Sequence, residues 1–164
     1  MASPDSSPAD LIPRADQPLP TGAAKTASVR AMFDTIAPRY DLVNRVMTFR
    51  MDVGWRRRAL DLLGLAPGAR VLDLATGTGD LAAEMASRGL VPIGADLSFG
   101  MLAAAPTPFP RVQADGVALP FPDGALDGAT CGFALRNFTD LAATVAELGR
   151  VVRPGGRLAL LEVA

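Results

Sequence analysis

Apolar residues begin to recur at helical spacing from Ser28, with Met32, Phe33, Ile36 and Ala37 on one face and Pro38 at the stop. A second helical stretch is predicted over 42–63, with Val43, Val46, Met47, Trp55, Leu60 and Leu63 as core positions; Gly64 and Pro67 end it. The pattern then shortens. Apolar runs at 69–75, 91–97, 111–115, 125–133 and 157–163 read as strands. Segments 80–87, 99–104 and 141–151 read as helices, the last with Leu141, Val145 and Leu148 on one face. Strands that are apolar throughout, rather than at alternate positions, are buried on both sides. The pattern therefore predicts an α/β fold, a parallel sheet flanked by helices. Ligands of such sheets bind beyond the carboxyl ends of the strands, so the residues just after each strand are the ones to examine.

Composition divides the chain further. Residues 1–27 hold five prolines and no periodic apolar pattern, too little to offset the entropy of ordering, and read as a disordered tail. Residues 28–66 form a helical segment and 67–164 the α/β core. The net charge of −1 offers no bulk attraction to nucleic acid. No apolar run approaches the roughly 18 residues of a membrane span. The first residues, MASPDSSPAD, lack the basic and apolar regions of a secretory signal, and a cytosolic protein is expected. A single cysteine, Cys131, excludes an internal disulfide and a Cys-rich zinc site. Histidine is absent altogether, which removes His triads and His metal ligands, and no metal centre is expected. Chemistry is left to carboxylates, Arg, Tyr, amides, or a cofactor with its own reactivity.

Three strand ends carry candidate chemistry. The first is the turn Asp73-Leu-Ala75-Thr-Gly77-Thr-Gly79-Asp80, where glycine lets the backbone turn sharply and a ligand approach closely. Such turns also occur for purely structural reasons. The second is Asp96, 23 residues after Asp73 (96 − 73), placed to accept hydrogen bonds from both hydroxyls of a ribose; it could equally cap the helix that follows. The third is Asp115-Gly116, able to read an adenine edge or simply to form an Asp-Gly turn. Each is ambiguous alone, but the ordered series of three points to a nucleotide-like ligand. Asp80, directly after Gly79, would repel a pyrophosphate and suits the ammonium or sulfonium of S-adenosylmethionine, which favours that methyl donor over NAD.

With these residues in place, the sequence resembles the menaquinone/ubiquinone C-methyltransferase family of the class I methyltransferases. The resemblance is carried by VLDLATGTGDLA (71–82), GADLS (94–98), QADGVALPFPDGALD (113–127), FALRNFTD (133–140), RVVRPGGRLALLEV (150–163) and, upstream, FDTIAPRYDLVNRVMTFRMDVGWRR (33–57). It covers the chain from about Val29 onward and implies a Rossmann-like class I methyltransferase fold. By position it implies that Asp73, Ala75, Gly77, Thr78, Gly79, Asp96, Leu97, Asp115 and Gly116 serve S-adenosyl-L-methionine. It implies that Tyr40, Arg136 and Asn137 face the acceptor, a prenylated quinol, with 28–66 capping that site. In that role Arg136 would stabilise a phenolate while Tyr40 and Asn137 bond the ring oxygens, and Phe33, Met47, Phe49 and Met51 could line a channel for the prenyl tail. The basic run 56–58 reads as a solvated helix face; membrane contact is at most peripheral, and a homodimer stays open. Three departures stand out. Gly132 replaces a common Ser, Pro106, Pro108 and Pro110 break the helix before Arg111, and the chain stops at strand five where the family continues with further strands. Two other readings remain: a methyltransferase for a different small molecule, such as an amine or carboxylate, and a non-catalytic donor-binding module.

Overall fold

The computed structural model describes residues 21–37 and 51–162. Two helices, α1 (Gly22–Ile36) and α2 (Met51–Leu63), precede an alternation of β1 (Arg70–Leu74), α3 (Asp80–Ser87), β2 (Val91–Asp96), α4 (Phe99–Ala104), β3 (Arg111–Gln113), β4 (Leu126–Gly132), α5 (Leu141–Val151) and β5 (Val152–Leu161). The strands form one sheet in the order β3-β2-β1-β4-β5, and every pairing is parallel. The chain runs outward from β1 to β3, then returns to the other side of β1 with β4. That reversal creates the crevice beside the carboxyl end of β1 where such sheets hold ligands.

The apolar runs do what their burial on both faces requires. Val71, Leu72, Leu74, Ala95, Ala129 and Cys131 are each 2% exposed or less. Removing such side chains from water contributes about 1.5–3 kcal/mol for each of the larger ones. Leu60 and Leu63 of α2 pack with Val71, Leu81, Met85 and Leu90 in a second cluster under the sheet. Burial of Cys131 pushes its thiol up to about 12, so it stays protonated and inert.

Four sequence expectations are corrected. Helix α1 starts at Gly22, so 22–27 are helical rather than part of a disordered tail. Ala23, Ala24 and Ala27 favour helix, and Lys25 Nζ and Thr26 Oγ1 find partners at Phe138 O and Thr139 Oγ1, each 2.9 Å away. Trp55 is 37% exposed, its ring 6.1 Å from that of Phe133, instead of lying in the core. In α5 the buried face is Thr144, Leu148 and Val151, while Leu141 and Val145 lie on its exposed flank; the Thr144 hydroxyl is accommodated by donating to Asp140 O. Strand β5 starts five residues early, at Val152, through an irregular stretch between its pairings to Leu126 and Gly128. Of the second helix, the expected part over 42–50 lies outside the described residues.

Candidate functional site

The turn after β1 is built around a buried carboxylate. Asp73 is 1% exposed and accepts hydrogen bonds from Thr76 Oγ1 (2.7 Å) and Thr130 Oγ1 (3.0 Å). Burial raises its pKa to about 6, against the pull of the two hydroxyls, and the neighbouring Asp96 adds to the rise while the Arg56 charge opposes it. With Asp73 clamped to Thr76, the backbone must turn at once. Ala75 takes φ 55° and Gly77 and Gly79 take φ 57° and 89°. A Cβ at Gly79 would also meet the Phe109 ring at 2.4 Å, so that ring would have to move to admit one.

Asp96 ends β2 and faces this turn. Its Oδ2 accepts from Gly77 N and its Oδ1 from Ser98 N, both at 2.8 Å. Burial pushes its pKa up, and these two backbone donors hold it down. The helix-cap role belongs instead to Ser98, whose Oγ accepts from Met101 N. Ser98 Oγ in turn donates to Asp34 of α1, as does Gly100 N at 2.9 Å. Asp115 caps a turn of its own, accepting from Val117 N at 3.3 Å, and Gly116 is buried beside it.

These residues border one open-mouthed cavity, which holds about 750 Å³ including its mouth. Asp96, Asp115 and Gly116 supply its polar edge, and Leu97, Met101 and Phe138 its apolar walls. Helix α1 roofs it with Val29, Arg30 and Phe33. Ala75 and Gly77 border both this cavity and a smaller polar recess of about 460 Å³ that contains Asp73, Thr78 and Asp80. Gly79 borders neither and shapes the turn.

The expected acceptor residues separate. Asn137 borders the large cavity, but Arg136 does not. Arg136 Nη2 pairs with Glu162 Oε1 at 2.6 Å beyond the ends of β4 and β5, and its side chain is 61% exposed. Tyr40 lies outside the described residues, as do Met47, Phe49 and the side chain of Met51. The basic run also divides. Arg57 and Arg58 are exposed, but the Arg56 side chain is only 15% exposed, lies 2.8 Å from Asp80 Oδ2 and borders the recess, which corrects its reading as a solvated face. Sequence reasoning missed Asp34, Thr130 and Phe133 as well. Phe133 has φ 59°, and like Ala75 it is a non-glycine residue in the left-handed region at a strand end bordering the cavity. No side-chain pattern announces such a backbone; only the apolar pair Val29 and Phe33, four apart, was there to be read.

The strand order, the glycine turn and the acidic strand ends together define a Rossmann-like domain of the class I methyltransferase type. A family model described as the ubiE/COQ5 methyltransferase family matches residues 21–164, and the chain belongs to that family. It is similar to the demethylmenaquinone methyltransferase of Thermus thermophilus, 49% identical over 80% of this chain and 64% of that one. It is likewise similar to the Mycolicibacterium gilvum protein of the same name, 47% identical over 82% and 59%. The chain thus spans about three-fifths of the length of the curated relatives it matches. Among solved structures, phosphoethanolamine N-methyltransferase 2 of Haemonchus contortus, in complex with S-adenosyl-L-methionine, superposes with TM-score 0.59 at 26% identity, covering 63% of this chain and 26% of that one. The [4+2]-cyclase SpnF shares the fold, with TM-score 0.72 at 24% identity over 87% and 60%. Among the described residues no helix is long and apolar enough to cross a membrane.

Proposed function

We propose that this chain binds S-adenosyl-L-methionine and methylates a ring carbon of a prenylated quinol, demethylmenaquinol to menaquinol, in respiratory quinone biosynthesis. One observation carries the donor half: Asp96, tied by backbone N–H groups to the glycine turn, faces the same cavity as Asp115 and Gly116. Each carboxylate oxygen of Asp96 has a second lone pair for a ribose hydroxyl. The apolar walls suit the faces of an adenine, and the acidic lining suits a ligand with net positive charge. The names of the similar proteins support the acceptor half.

The donor brings an activated methyl group, so the protein's work is to align the acceptor carbon with it. A quinol carbon becomes nucleophilic as a neighbouring hydroxyl gives up its proton, and a free phenol has a pKa of about 10. Arg136 is the cation assigned to the developing phenolate, and Glu162 holds its guanidinium beyond the ends of β4 and β5. Asn137 reaches from the cavity wall toward a ring oxygen, a role shared by Tyr40. The same reading puts the protein in the cytosol, in peripheral contact with the membrane that holds its acceptor, with 28–66 as the cap of the acceptor site. Incubating the protein with the labelled donor and demethylmenaquinol tests this: labelled menaquinol is the expected product. Donor binding without transfer to any quinol would leave a donor-binding module, and transfer only to an amine or carboxylate would replace the acceptor.

A further inference from the structure

Between α4 and β3 the chain runs through Ala105-Pro-Thr-Pro-Phe-Pro110 without helix or strand. A proline disfavours helical backbone in the residue before it, which stiffens Thr107 and Phe109 in turn. The end of the segment is tied to β2: Gly94 N donates to Pro110 O at 2.8 Å, and Arg111 opens β3 opposite Gly94. This anchoring sets the half-buried Phe109 ring over two glycines of different elements. One edge of the ring occupies the space a Cβ of Gly79 would need, and the opposite edge lies 2.6 Å from where a Cβ of Gly94 would stand. Thr76 Cγ2 crowds the same point over Gly94, at 2.8 Å. The Arg111 guanidinium covers the ring, 5.3 Å from its centroid.

We propose that Phe109 is a positioning residue for the donor, its ring wedging the glycine turn after β1 into the conformation that binds. This rests on the donor reading above and adds to it a residue that borders neither cavity. Glycine at 77 and 79 leaves the turn with many backbone states of similar energy, so contacts from outside must select one. On one side Asp73 does so by clamping Thr76, whose carbonyl accepts from Gly79 N at 2.9 Å. On the other side stands the Phe109 ring, against Gly79 where α3 begins. Between these two supports lies Gly77, which donates to Asp96 and borders the cavity. Gly94 completes the arrangement, because a strand glycine lets the ring approach the backbone closely. Without the ring Gly79 gains room to leave its conformation, and only the fraction of molecules that keep the turn can bind. The prolines around Phe109 lower the entropy lost in holding the ring there.

The competing role is structural, with Phe109 merely adding apolar cover to the domain. Calorimetry with S-adenosylhomocysteine, paired with amide hydrogen exchange of the ligand-free protein, separates the two. Phe109→Ala is expected to weaken S-adenosylhomocysteine about tenfold, as follows if the binding-ready turn falls to about a tenth of the folded molecules. Phe109→Leu, which keeps an apolar side chain of shorter reach, is expected to lose about threefold by the same relation and carries the test alone if the alanine variant does not fold. In the leucine variant the Gly79 amide should exchange faster, while those of Leu72 and Leu74 in β1 keep their wild-type rates. Wild-type affinity in the folded variants, or faster exchange spread evenly through β1, overturns the assignment and leaves the donor reading standing. A wild-type protein that does not bind S-adenosylhomocysteine removes the donor reading and this inference together.

Discussion

The carboxyl ends of β1, β2 and β3 and those of β4 and β5 belong to one sheet edge, yet they are made differently. At the first, Asp73 and Asp96 are at least nine-tenths buried and each is held by two hydrogen bonds. At the second, the Arg136 side chain pairs with Glu162 while remaining 61% exposed. The difference concerns when each charge acts. A buried carboxylate has paid its desolvation during folding and meets a ligand already oriented. An exposed guanidinium is screened by water and gains strength only when an acceptor covers it and excludes solvent. On the proposed function, the donor end is set before any ligand arrives, whereas the acceptor side acts during the reaction.

The largest effect tests the acceptor side. Arg136→Gln is expected to lower turnover of demethylmenaquinol by about 10²-fold or more, by analogy with lost oxyanion stabilisers, while donor affinity measured by calorimetry stays within about twofold. The loss should shrink as pH rises toward about 10, where the phenol ionises unaided. Wild-type turnover in the variant would end the catalytic role of Arg136, and a matching loss of donor binding would erase the contrast.

Next comes the buried end. Because the Asp73 pKa is raised to about 6, its contribution to stability is fully present below its unfolded value and is lost as pH rises through about 6. Asp73→Asn removes that charge and can still bond both threonines. It should stabilise the ligand-free protein by about 2 kcal/mol at pH 8, with the gain fading to nothing by about pH 4. Urea titrations at the two pH values measure this. A destabilised variant at pH 8 would show that the Thr76 and Thr130 hydrogen bonds outweigh the cost of burying the charge.

Asp96→Ala should weaken S-adenosylmethionine at least tenfold with the far-ultraviolet dichroism unchanged, since charged acceptors contribute about 1.5–3 kcal/mol per hydrogen bond. Unchanged affinity would take the ribose away from Asp96.

The smallest effect concerns backbone strain. Ala75 sits at φ 55°, a conformation that costs a residue with a Cβ about 1–2 kcal/mol, and glycine gives back part of that relief through its freer unfolded chain. Ala75→Gly should shift stability upward by about 0.5 kcal/mol in the same urea experiment. A loss above about 1 kcal/mol would mean that the methyl group packs usefully against its neighbours.

How much of this was legible beforehand varies residue by residue. The strands were legible because a parallel strand covered on both faces must be apolar along its length, as Val71, Leu72 and Leu74 are. Asp73, Asp96 and Asp115 could be listed because a carboxylate interrupting or ending such a run is conspicuous. Their division of labour could not be read. Asp73 lies beneath the turn because Thr130, 57 residues away, reaches it from β4, and Ser98 rather than Asp96 caps α4. The α5 face was misjudged because Thr144 is polar by name, yet it satisfies its hydroxyl within its own helix and can be buried.

By itself, then, the sequence determined the order of the elements, the parallel sheet and the strand ends that carry chemistry. Those features follow from local periodicity and from the demand that buried backbone be paired within apolar runs. Only the tertiary structure decided that α1 roofs the cavity, through Lys25 and Phe138 across 113 positions, that Arg56 turns inward while Arg57 faces solvent, and that Arg136 pairs with Glu162 instead of bordering the cavity. The rotation of a helix about its axis and the pairing of distant charges depend on which surfaces meet. That is a property of packing between elements, and no single stretch of chain contains it.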